Sequence, residues 1–169
     1  MGEHVLSPSD PLVSRGEVFG RYLDYFRARI IEGVEGLPEV EVRNSRLASG
    51  WTPLELVRHL TYVERRWLEW GFEGQDLPDP WGDRRDDRWF VDENEPRADL
   101  IAALVAQGAR TRTIIESNDL ATIAQPSPRF KEGEPPTLER ILFHLLQEYA
   151  HHAGHLDIVV EIASADTTA

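Results

Sequence analysis

Ile141-Leu142-Phe143-His144-Leu145-Leu146-Gln147-Glu148-Tyr149-Ala150-His151-His152-Ala153-Gly154-His155-Leu156-Asp157-Ile158-Val159-Val160 is the stretch from which the rest of the chain can be read. Turned at about 100° per residue, it places Ile141, Leu145, Tyr149, Leu156, Val159 and Val160 on one arc. Glu139, Gln147, Asp157 and Glu161 fall on the other side. That is an amphipathic helix, expected to run from near Thr137 to about Ala163. It also holds four of the chain's six histidines within twelve residues, with a glutamate among them. His152 falls inside the apolar arc and Glu148 at its border. His144 and His155 lie further out, and His151 lies furthest from the apolar centre.

A helix with one apolar side needs partners, and the rest of the chain offers three. Val18, Phe19, Tyr22, Leu23, Phe26, Ile30 and Val34 recur at spacings of three and four, which predicts a helix from about Gly16 to Gly33. Thr52-Pro53-Leu54-Glu55 carries an N-cap threonine, a proline at the first helical position and the glutamate of a capping box. A second helix is expected from there to about Trp70. A third is expected over Arg97–Ser117, with Leu100, Ile101, Leu104 and Ile115 on one side. Residues 34–51 read as a connector with a short extended piece at Val40 and Val42. Residues 74–97 read as a long loop whose Trp81, Trp89 and Phe90 pack onto something or cover a substrate, while its Arg84, Arg85 and Arg88 are solvated or pair with an anionic group. A further loop carries Pro126, Pro128, Pro135 and Pro136. Four helices without convincing strands predict an all-α four-helix bundle. The expected organisation is a loose lead-in over 1–13, one bundle domain over 14–164 and a tail over 165–169.

Composition narrows the function. A chain of 169 residues that is 41% hydrophobic suits one globular domain. The net charge of −12 argues against nucleic acid, which is bound by neutralising phosphates with Lys and Arg. No apolar run reaches the ~20 residues that cross a bilayer, and the first residues lack the features of a signal peptide. With no cysteine, disulfides, thiolate metal sites and cysteine nucleophiles are excluded, and a cytoplasmic location is the simplest expectation. No G-x-S-x-G, P-loop, G-x-G-x-x-G or H-E-x-x-H string occurs, so serine hydrolase, nucleotide, dinucleotide and zincin readings lack support.

Histidine and carboxylate are ligand types for divalent transition metals. Glu148 and His152, at i and i+4, stand one above the other on the inner helix face. A third ligand should come from a facing helix, and His59, bordered by Leu56, Val63, Trp67 and Trp70, is the histidine available there. His59 also reads as a hydrogen-bonded structural histidine, and Glu148 with His152 as a plain ion pair. Glu64 falls in the apolar arc of its helix with no partner evident, and reads as a helix-end residue.

Two segments carry a family resemblance: Gly50-Trp-Thr-Pro-Leu-Glu-Leu-Val-Arg-His59-Leu, and His144-Leu-Leu-Gln-Glu148-Tyr-Ala-His151-His152-Ala-Gly154-His155-Leu-Asp157. Together they resemble the DinB-like superfamily, on the branch that includes mycothiol-dependent maleylpyruvate isomerase; the second string is similar to an actinobacterial branch of it. The resemblance implies an up-down-down-up bundle, a zinc or nickel ion held by His59, Glu148 and His152, and a homodimer. It also implies a low-molecular-weight thiol such as mycothiol as cosubstrate, acting on a small electrophilic substrate by S-transfer or isomerisation. The chain departs from the commoner pattern with His155 where a glutamine is frequent and with the added His151. His155 is therefore an alternative ligand, an orienting neighbour or a general base. A non-catalytic stress-response bundle that binds metal or a small molecule, and a metal-dependent hydrolase, are the competing readings.

Overall fold

The computed structural model describes residue 7, residues 9–130 and residues 133–166. Most of the expected lead-in, and residues 167–169 of the expected tail, lie outside them. Helix α1 spans Arg15–Gly36, α2 Glu39–Val42, α3 Pro53–Arg65, α4 Arg97–Ser117 and α5 Leu138–Asp166. The four long helices make an all-α bundle.

Local sequence sets the ends. The Ser14 hydroxyl caps α1 by accepting from the Glu17 N–H. The Thr52–Glu55 capping box forms in both directions, with Pro53 in the first turn of α3; such caps stabilise by about 1 kcal/mol. α1 runs three residues beyond the expected Gly33, to Gly36. The extended piece expected at Val40 and Val42 is instead the helical turn Glu39–Val42. Alternation there misleads because Val42 alone is buried while Val40 is exposed. α5 continues to Asp166, into the stretch expected as a tail.

Side-chain contacts fix the directions. Arg15 meets Glu139 and Arg29 meets Asp157, so α1 and α5 run parallel. Arg58 meets Glu95 just before α4, and Glu64 meets Thr111, so α3 and α4 run parallel. Asp24 meets Arg112 while Val34 meets Arg97, so α1 opposes α4. His59 lies beside His152 and Trp67 beside His144, so α3 opposes α5. The long helices are thus arranged up-down-down-up, and the long 73–96 connector makes the parallel crossover between α3 and α4.

After Arg65 the chain continues as a π-helix over Arg66–Phe72, where the sequence predicts an ordinary helix ending near Trp70. The wider turn shifts the register of the side chains that follow. Arg66 becomes buried and Trp67 lies against α5. The loop beyond it is not wholly irregular. Arg84–Arg85 and Arg88–Trp89 pair as the two-residue strands β1 and β2. Asp86 and Asp87 between them both have positive φ, 52° and 59°, the conformation of a type I′ hairpin turn.

At the centre of the bundle is a polar knot. Glu64 is fully buried, not the partnerless helix-end residue its position in the sequence suggests. Arg27 from α1 donates to its Oε1 at 2.7 Å. The hydroxyls of Thr111 from α4 and Tyr149 from α5 also donate to it. One carboxylate therefore joins all four long helices. Gly108 makes room, because a Cβ there would stand 2.5 Å from the Arg27 guanidinium carbon. Burial pulls the Arg27 guanidinium down, but Tyr149 and Glu64 more than reverse it. Burial and the Glu64 charge push the Tyr149 phenol well above its ordinary range.

Candidate metal centre

α3 and α5 face each other with His59 opposite Glu148 and His152. One ligand-type atom from each of the three lies within 4.8 Å of those of the other two. His152 Nε2 stands 3.5 Å from Glu148 Oε2, close to the ~3.4 Å edge of a tetrahedron whose ligands are about 2.1 Å from the centre. The buried Nδ1 of His152 has no hydrogen-bond partner among the described residues, and an imidazole left so is costly unless something else is bound. The donor set, two imidazoles and a carboxylate, suits a divalent ion with His152 ligating through Nε2.

His59 is held from behind. Its Nδ1 lies 3.0 Å from Asp83 Oδ2. Burial pushes the Asp83 carboxyl up, but hydrogen bonds from His59 and Arg66 more than offset it and leave it below its ordinary range. An ionised Asp83 only accepts, so His59 Nδ1 carries the hydrogen and Nε2 keeps its lone pair. Arg66 in turn holds Asp83 through both terminal nitrogens, at 2.6 and 3.1 Å, and donates to the Pro80 carbonyl at 3.1 Å. Burial pushes the His59 imidazole down despite the Asp83 hydrogen bond, which favours the neutral, ligating form. Trp89, delivered by β2, stacks on His59 with ring centroids 4.0 Å apart and planes 20° from parallel.

Glu148 is half-buried. Its contact with His152, and the nearby His144 at 3.5 Å, keep its carboxyl below the ordinary range although partial burial raises it. His155 sits to one side, its ring 6.0 Å from His152, 4.2 Å from His151 and 6.4 Å from Trp51. Partial burial, then His151 and His152, lower its pKa, so it is neutral at neutral pH. His151 is exposed.

Sequence reasoning missed Asp83 and Arg66 altogether. No local pattern ties Asp83, in an irregular loop, to a histidine 24 positions earlier. The sequence offers Trp89 as a packing residue or part of a substrate cover, and not as the ring that stacks on His59. A cleft of about 460 Å3 lies beyond it, lined by Ser49, Gly50, Trp51 and Glu55 on one side and Arg85–Phe90 on the other. His59, Glu148 and His152 do not line that cleft; Trp89 stands between. At Gly50, φ is +82° and a Cβ would stand 2.6 Å from an Arg88 nitrogen, so glycine lets the hairpin close against the start of α3.

The up-down-down-up bundle, with two histidines and a glutamate facing one another across α3 and α5, defines a DinB-like helical protein. A model of the mycothiol-S-transferase family matches residues 18–164, almost the whole chain, and the chain belongs to that family. Among curated proteins no match was found. Among the described residues no helix is long and apolar enough to cross a membrane.

Proposed function

We propose that this protein is a metal-dependent enzyme that transfers the sulfur of a low-molecular-weight thiol, of the mycothiol type, to a small electrophilic substrate. The observation that carries this reading is the convergence of His59, Glu148 and His152 in a member of a mycothiol-S-transferase family. Those three side chains would hold a zinc or nickel ion, with further coordination positions left for ligand. A divalent ion there supplies Lewis acidity, which lowers the pKa of a coordinating thiol into the neutral range. The chain has no cysteine of its own, so the reacting sulfur is the cosubstrate's.

The chain's own residues supply the rest. Asp83, clamped by Arg66, fixes the His59 tautomer and ring orientation. Trp89 and Trp51 wall the site and keep water from the reacting sulfur. His155, neutral and beside His152, takes the thiol proton. The sulfur electron pair then forms a C–S bond, and the displaced group leaves with the pair of the bond that breaks. On an activated alkene, the carbon next to the carbonyl receives the pair and a proton instead. As a homodimer, the protein would use the outer face of α5, where Phe143, Ile158 and Ile162 are exposed.

Conjugation of a generic electrophile by the zinc-loaded protein tests the reading. Product should form only when mycothiol is added, and His155→Ala should slow turnover about 10-fold or more and flatten the acid limb of its pH dependence, below the ordinary imidazole value of about 6.5. Turnover of an ester or amide without any thiol would instead establish a hydrolase. Metal binding with no turnover of either kind would establish a binding protein.

A further inference from the structure

We propose that Arg129 anchors a carboxylate on the electrophilic substrate, which would make the enzyme selective for anionic electrophiles; the proposal rests on the thiol-transfer reading above. Arg129 stands in the short 3-10 turn Pro128–Phe130 that precedes α5. In this acidic chain, arginines such as Arg27, Arg58, Arg66, Arg110 and Arg112 each meet a carboxylate. Among the described residues Arg129 meets none. Its Nε is buried with no hydrogen-bond partner, as is the nearby Ser127 hydroxyl. The guanidinium instead lies 4.1 Å from the centre of the Trp67 ring, with Trp70 and Trp81 at 5.8 and 5.9 Å. Ring faces attract a cation but offer it no acceptor oxygens. Burial, then the like charge of Arg66, pull the Arg129 pKa down. This is a half-buried cation prepared for an anion that the described residues do not provide.

Its position ties it to the metal centre. Trp67 also meets His144, ring centroids 4.5 Å apart, and His144 Nε2 is 3.5 Å from Glu148. Arg129 is thus one indole and one imidazole away from a proposed ligand. It lies at the opposite end of the α3–α5 face from Trp51 and His155. Phe130, packed on Trp67, fixes the turn that carries it. A planar guanidinium with paired donors matches a carboxylate better than it matches a neutral amide. An electrophile whose reactive carbon sits at the centre would rest its carboxylate at Arg129.

The test uses the zinc-loaded protein with mycothiol and a matched pair of electrophiles in which a benzene ring separates the reacting carbon from the anion, 4-(bromomethyl)benzoate and 4-(bromomethyl)benzamide. The ratio of their kcat/KM values should fall about 10- to 100-fold in Arg129→Gln. Arg129→Lys, which keeps the charge and loses the fork, should fall between. Binding is read separately, by quenching of tryptophan fluorescence on titration with unreactive benzoate, with benzamide as the neutral control. Wild type should show saturable quenching by benzoate that is weakened in Arg129→Lys and lost in Arg129→Gln. Benzoate binding that is absent, or the same in wild type and both variants, overturns the proposal. So does an unchanged ratio of kcat/KM values in an active enzyme. Benzoate binding that depends on Arg129 in a protein that conjugates neither electrophile would sustain the anion site and refute the thiol-transfer reading. Should Arg129→Gln not fold, the Arg129→Lys titration decides alone.

Discussion

Glu64 and Glu148 both face the interior of the bundle from long helices, and their surroundings are opposites. Glu64 is fully buried and takes donors from Arg27, Thr111 and Tyr149 on three other helices. Glu148 is partly exposed and faces two imidazole nitrogens at 3.5 Å each, on His144 and His152. A carboxylate whose acceptors are filled by the fold is a structural element. One that stands loosely among histidines is prepared for a ligand. The contrast separates the residues that hold the bundle together from those that serve the chemistry.

Breaking the knot should have the largest effect on the fold. Glu64→Leu leaves the buried Arg27 with Asp24 as its carboxylate partner and strips the buried Thr111 and Tyr149 hydroxyls of their acceptor, and should destabilise the protein by about 3 kcal/mol in urea unfolding. Glu64→Gln should cost less. Loss of less than about 1 kcal/mol in Glu64→Leu would show that the knot is not structural.

Asp83 belongs to the other side of the contrast, because it is as buried as Glu64 but serves His59. Asp83→Asn should lower zinc affinity about 10- to 100-fold, measured by competition with a chromogenic chelator. An unchanged affinity would mean that His59 needs no orienting partner.

The pH dependence of stability distinguishes the two regions again. The Tyr149 phenol is raised in the folded state. Below the ordinary tyrosine value of about 10, both states hold the proton and its contribution to stability is complete. Above that value the unfolded chain gives up the proton first, and stability falls as pH rises toward the folded value. The thermal midpoint should therefore drop between about pH 9 and 11, and less steeply in Tyr149→Phe. His59 shifts the other way. Its folded pKa is lowered, so its contribution is present above the ordinary imidazole range and is lost as pH falls through the folded value.

The smallest effect belongs to the hairpin that delivers Trp89. Asp86 and Asp87 hold positive φ in a two-residue turn, where Asn-Gly is the favoured pair. The Asp86→Asn, Asp87→Gly double variant should gain roughly 0.5–1 kcal/mol, seen as a small rise in melting temperature. A loss would mean that one of the two carboxylates makes a contact that matters.

The four long helices were legible because each carries a strong local signal. The Thr52–Glu55 capping box and the apolar arc of α5 are patterns that neighbouring residues define among themselves. The nomination of His59, Glu148 and His152 used the same helical geometry, and the fold sets those side chains together. What stayed hidden depends on contacts far apart in sequence. Glu64 looked partnerless because Arg27, Thr111 and Tyr149 lie on three other helices. Asp83 sits in a loop without periodicity, and the π-helical turn that buries Arg66 has no signature in Arg66–Phe72. The turn at Val40 and Val42 alternates like a strand, but its burial is decided by packing at Val42 alone.

Calorimetric titration of zinc into metal-stripped protein tests the central claim most directly. One ion should bind per chain in wild type, and His59→Ala, Glu148→Ala and His152→Ala should each abolish tight binding while leaving the helical circular dichroism intact. A wild type that takes up no zinc or nickel, or one whose binding survives all three substitutions, would contradict the account.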